Sequence, residues 1–125
     1  MSNDLYRVVT EIAAQHNLYA ANAYYFILDA LSVTARKVKK QNPSHSRHLS
    51  GLELSNGIKN YALKRFGCMS YTVMKVWGLH RTNDFGSIVY HLINAGVLGK
   101  SDEDSLEDFN DLFDFTSAFL KPFNP

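Results

Sequence analysis

Residues 50–67 read SGLELSNGIKNYALKRFG, and this stretch decides the fold. Ser50 and Glu53 have the spacing of a capping box. In that motif the serine hydroxyl accepts from the amide three residues on, and the glutamate carboxylate accepts from the serine amide. From that start Leu54, Ile58, Tyr61, Ala62 and Phe66 recur at three- and four-residue steps, the stripe of an amphipathic helix. Gly67 ends it, because glycine readily takes the left-handed conformation at a helix C-terminus. Gly57 lies inside the helix, where it costs about 1 kcal/mol relative to alanine. That placement marks a close crossing with a neighbouring helix.

Downstream, residues 70–77 form a short helix with Val73, Met74 and Trp77 on one face, ended by Gly78. A turn over residues 79–82 follows. Thr82 or Asn83 then caps a helix that carries Phe85, Ile88, Val89, Leu92 and Ile93 on one side. Gly96 closes it, with Val97 and Leu98 packed behind. Upstream, residues 5–14 place Leu5, Val8, Val9, Ile12 and Ala13 on one face, with Ser2 or Asn3 as cap and Asn17 as stop. Residues 20–40 repeat the pattern with Ala23, Phe26, Ile27, Ala30, Leu31, Thr34 and Val38. That helix ends in Arg36, Lys37, Lys39 and Lys40, cations that complement the negative end of a helix dipole. Asn42-Pro43-Ser44 opens a loop over residues 41–49.

These elements predict a mainly α, single domain of five to six helices spanning residues 1–125. It divides into a helical pair over 1–41, a three-helix unit over 50–98, and an acidic, aromatic segment over 99–125. In the last segment Phe109, Leu112, Phe113, Phe115 and Phe119 are too apolar for a solvated arm and are expected to dock on the core. Residues 97–115 read either as a helix or as a small hairpin.

The chain has 125 residues, 46% of them hydrophobic and 20% charged, a balance that argues against disorder. Its single cysteine, Cys68, fits a reducing, cytoplasmic setting. The first residues lack the basic stretch and apolar run of a secretion signal, and no run reaches the length of a membrane span. The net charge of +1 conceals an asymmetry. Residues 36–81 hold ten basic side chains against one acid, Glu53, a net of +9. From residue 101 onward seven acids face one base, Lys121, a net of −6. Such polarity suits an acidic protein partner, nucleic acid, a second copy of the chain, or the tail folding back on the basic middle.

No catalytic, cofactor or metal constellation is readable. His45 and His48 have ligand-like spacing, but a metal site needs third and fourth donors. Cys68 with His80 or His91 has no spacing that brings them together, and buried thiols are usually inert. The acids of the tail, Asp102, Glu103, Asp104, Glu107 and Asp108, read as a solvated face.

Residues 70–98 have the outline of a helix-turn-helix and resemble the winged-helix group. There residues 52–66 and 70–77 would be the first two helices, 84–95 the recognition helix and 97–115 the wing. The resemblance implies that Ser87, Tyr90, His91 and Asn94 face a groove, with Lys75 and Arg81 near phosphates. A second resemblance spans residues 19–119. It is carried by Ser50-Gly51-Leu52-Glu53-Leu54, Gly57-Ile58, Tyr61-Ala62-Leu63, Phe66-Gly67, Trp77-Gly78-Leu79, Asp84-Phe85-Gly86, Ile88-Val89 and Glu107-Asp108-Phe109. In these the chain resembles an uncharacterised protein family of Planctomycetes and Verrucomicrobia. That family implies one intact domain and no activity. Trp77, Asp84, Phe85 and Gly86 then read as a packed corner, with a docking surface as the alternative.

The expected function is a non-enzymatic interaction or adaptor module with a basic central surface; the alternative is a winged-helix nucleic-acid binder. The candidate contacts are Arg36, Lys37, Lys39, Lys40, Arg47, Lys75, Arg81, Ser87, Tyr90, His91 and Asn94.

Overall fold

Among residues 3–44, 48–99 and 105–123, which the computed structural model describes, five α-helices form and no strand. They are α1 (Asn3–His16), α2 (Ala21–Gln41), α3 (Gly51–Phe66), α4 (Ser70–Val76) and α5 (Thr82–Asn94). The boundaries follow the local chemistry. Asn17, with φ 52°, turns the chain out of α1. The capping box of α3 is made: Glu53 N donates to Ser50 Oγ at 3.0 Å, and Ser50 N donates to Glu53 Oε1 at 3.0 Å. The helix-ending glycines Gly67, Gly78 and Gly96 all have positive φ.

The core lies where α2, α3 and α5 meet. Ile27, Ile58, Met74, Phe85, Ile88 and Leu92 are fully buried there. α1 packs against α2 and α5, and α4 against α3. α2 and α3 run antiparallel. At one end Phe26 meets Tyr61 and Phe66, with ring centroids 5.2 and 5.4 Å apart. In the middle, Gly57 faces Thr34. A Cβ added to Gly57 would stand 2.8 Å from Thr34 Cβ and 2.7 Å from its Cγ2, inside van der Waals contact. The crossing anticipated from Gly57 is therefore present, and Thr34 is its counterpart.

The C-terminal segment docks on this core. Residues 105–123 begin with a short 3-10 helix, Leu106–Phe109, and continue through a turn to a π-helical segment, Thr116–Leu120. Phe109, Phe115 and Phe119 are buried. Phe109 seats on Gly86, where a Cβ would come within 2.8 Å of the ring. Two expectations need correction here. The described part of 97–115 contains this 3-10 helix and no strand, so the hairpin alternative is not formed there; the Phe109 ring inserts against α5 instead of pairing backbone with a second strand. Thr82 does not cap α5 with its hydroxyl. Its Oγ1 donates to Phe109 O at 2.7 Å and accepts from Leu112 N at 2.9 Å, which ties the tail to α5. The start of α5 is satisfied by Asp84, whose Oδ2 accepts from His80 N at 2.8 Å and Arg81 N at 3.2 Å.

Replacing Gly57 by alanine raises helix propensity by about 1 kcal/mol but forces α2 and α3 apart, and overpacking this close costs about 2–3 kcal/mol, the upper part of the usual range. Gly57→Ala is therefore expected to lower the thermal midpoint, by roughly 3–8 °C for a net loss of 1–2 kcal/mol. Thermal unfolding followed by circular dichroism checks this; an unchanged or raised midpoint contradicts the crossing.

Candidate functional site

The cations of the sequence separate into two groups once the chain is folded. Arg36, Lys37, Lys39 and Lys40 are exposed on the last turns of α2. Lys75 and Arg81 are exposed too, but on α4 and at the start of α5. Phe26 packs on Trp77 at 5.3 Å, so the end of α4 lies beside the N-terminal half of α2. Arg36 stands about ten residues further along α2, about 15 Å down its axis. Arg65 belongs with the α4 end, pairing with Asp29 at 4.0 Å. The expected single basic surface is thus divided by the antiparallel return of the chain. Arg47, with His45, lies outside the described residues.

The tail acids are engaged away from the α2 group. Arg81 pairs with Asp111 at 3.6 Å. Asp108 Oδ2 accepts from Ser105 N at 3.1 Å, and Asp114 Oδ2 from Ser117 N at 3.0 Å. The segment that carries them packs on α5, α3 and α4.

Beside the cationic half of α2 a groove of about 340 Å³ runs between α2 and α3. Gly57 and Thr34 form its floor. Val33, Lys37, Val38 and Gln41 line it from α2; Glu53, Asn56, Asn60 and Tyr61 line it from α3. Helical spacing explains the set: Lys37 and Gln41 are one turn apart on α2, and Asn56 and Asn60 one turn apart on α3. Residue reasoning found Lys37 but missed Gln41, Asn56 and Asn60. An asparagine on a helix reads as ordinary surface until the partner helix places it beside a crossing.

Ser87, Tyr90 and His91 are placed differently from the winged-helix expectation. Along α5 every residue from Thr82 to Ile93 is buried or half-buried, and Asn94 alone of its predicted contacts is exposed. A recognition helix must present a free face to a groove of nucleic acid. Among the described residues α1, α2, α3 and the C-terminal segment all pack against α5, which leaves Ser87, Tyr90 and His91 half-buried. The corner at Trp77 and Asp84 is likewise occupied by the chain itself. Ala20 N donates to Trp77 O at 3.1 Å, and Tyr19 Oη donates to Asp84 Oδ1 at 2.9 Å.

His91 sits in a cluster of titratable groups where α1, α2 and α5 join. Its ring stacks on His16 with centroids 3.6 Å apart and 2° between planes. Its Nδ1 lies 2.8 Å from Tyr24 Oη. Burial, and then the facing His16, hold the His91 pKa below its ordinary value of 6.5. Burial pushes Tyr24 up to about 12, with Tyr19 adding to it. Tyr19 also rises to about 12, through burial and the neighbouring Asp84, against an opposing hydrogen bond with Ser87. Neutral His91 can accept the buried phenolic proton of Tyr24 at Nδ1; a protonated ring cannot. Neutral His91 therefore joins α5 to α2 through this bond.

Comparison with family models, curated proteins and solved structures gave no match. Among the described residues no three His, Cys, Asp or Glu side chains gather as metal ligands, and no helix is long and apolar enough to cross a membrane. Cys68 is exposed in the turn between α3 and α4.

The lowered His91 pKa sets a sign for pH dependence. The unfolded chain takes up this proton before the folded one, so the stabilisation is full above the unfolded value of 6.5, declines below it and is lost as pH falls through the lower folded value. The thermal midpoint is expected to decline from about pH 7 to pH 5, before carboxylates titrate. His91→Gln keeps an acceptor for Tyr24 and should flatten that decline. A midpoint that rises on acidification, or an equally steep decline in the variant, contradicts the assignment.

Proposed function

We propose that the chain is a non-catalytic interaction module that binds an acidic protein segment at the cationic half of α2. One observation carries this reading: Lys37 lines the α2–α3 groove and Arg36, Lys39 and Lys40 are exposed on the same last turns of α2, while the described acids of the tail are engaged elsewhere. Charge gathered on one end of a helix steers an oppositely charged partner and sets its orientation. Val33, Val38 and Tyr61 add apolar contact within the same groove, which charge alone would not supply. The lone exposed thiol suits a reducing, cytoplasmic compartment. Membership of the planctomycete and verrucomicrobial family is part of the same proposal and adds no activity to it.

Fluorescence anisotropy with labelled poly-glutamate at low salt tests the reading. Binding is expected to weaken as salt rises. The pair Lys37→Glu and Lys40→Glu should weaken it by about tenfold or more, and Lys75→Glu should leave it nearly unchanged. Tighter binding to duplex DNA than to poly-glutamate, or equal loss in the Lys75→Glu variant, contradicts it.

A further inference from the structure

Four polar side chains without a partner among the described residues share one groove. Lys37, Gln41, Asn56 and Asn60 have no hydrogen-bond or ion-pair partner among the described residues, and all four line the same groove. Other asparagines are engaged within the protein: Asn83 bonds Asn110 and Asp111, and Asn42 bonds Ser44. The chemistry of the set is specific. A carboxamide offers a donor pair and an acceptor side by side, the complement of a peptide unit's C=O and N–H. Asn56 and Asn60 repeat that complement one helical turn apart, and Gln41 offers it from the facing wall. Lys37 adds a point charge with three donors, suited to a carboxylate.

The dimensions agree with an extended chain. The lining runs from Val33 to Gln41 on α2, about 12 Å at helical rise. An extended peptide advances about 3.3 Å per residue, so about four residues lie along it. The floor is flat there because Gly57 has no side chain.

Building on the interaction-module reading, we propose that the α2–α3 groove seats an extended acidic peptide. The carboxamides of Asn56, Asn60 and Gln41 hold its main chain, and Lys37 holds one of its carboxylates. Glu53, the one acid of the lining, is kept at the groove's end by its bond from Ser50 N and stands as a boundary to the negatively charged ligand.

The test uses the full chain and a labelled decapeptide of alternating glutamate and alanine. The double variant Asn56→Ala/Asn60→Ala should bind about tenfold more weakly, with its thermal midpoint close to that of the native chain. Asn60→Asp, which keeps size and adds a like charge, should weaken binding at least as much. A glutamate–proline decapeptide of equal charge lacks every second N–H and should bind several-fold more weakly. If the asparagine variants bind normally while Lys37→Glu/Lys40→Glu loses the peptide, the module reading stands and the groove assignment is overturned. If the native chain does not bind the glutamate–alanine peptide at low salt, both are overturned.

Discussion

The close contact of Gly57 with Thr34 is the constraint on which the rest is arranged. Two helices can approach at this distance only where one of them has no side chain. The approach lets Phe26 close over Tyr61 and Phe66 at one end and buries Ile27 and Ile58 between the helices and α5. It also brings the polar outer turns of both helices alongside each other. The groove with its lysine and three carboxamides is the outward side of the same contact that closes the core.

The second organising feature is the burial of α5. Gly86 admits the Phe109 ring, Thr82 holds the backbone of the C-terminal segment, and Asp84 joins the start of the helix to Tyr19. On the remaining side His91 meets His16 and Tyr24. A helix enclosed in this way is a core element. That burial is the physical reason the interaction reading is built on α2 and α3 and not on α5. The proposed site lies instead between α2 and α3, where Lys37, Gln41, Asn56 and Asn60 line a groove.

The helices were legible in the residues because their ends are marked by short-range chemistry. Ser50 with Glu53 announces a start, Gly67, Gly78 and Gly96 announce stops, and the apolar stripes between them give the buried faces. Gly57 announced its crossing because an interior glycine is unfavourable unless something needs the space. What was hidden depends on pairings between distant segments. Tyr24 and His91 are 67 positions apart, Thr82 and Phe109 are 27, and no local pattern foretells either bond. The cations form one run along the sequence and separate only on folding. The return of α3 against α2 places Arg65 beside Asp29 and leaves Arg36, Lys37, Lys39 and Lys40 at the other end. The candidate site is therefore half legible in the residues: Lys37 and its cationic neighbours stand out in the sequence, whereas Gln41, Asn56 and Asn60 acquire meaning only from the crossing.

The most direct measurement is an amide-resolved NMR titration of the full chain with the glutamate–alanine decapeptide. The account predicts saturable shifts confined to Val33, Lys37, Val38 and Gln41 on α2 and to Asn56, Gly57, Asn60 and Tyr61 on α3, with the side-chain amide signals of Asn56 and Asn60 moving in step. Shifts centred on α4, α5 or the C-terminal segment, or spread evenly over every exposed cation, would contradict it.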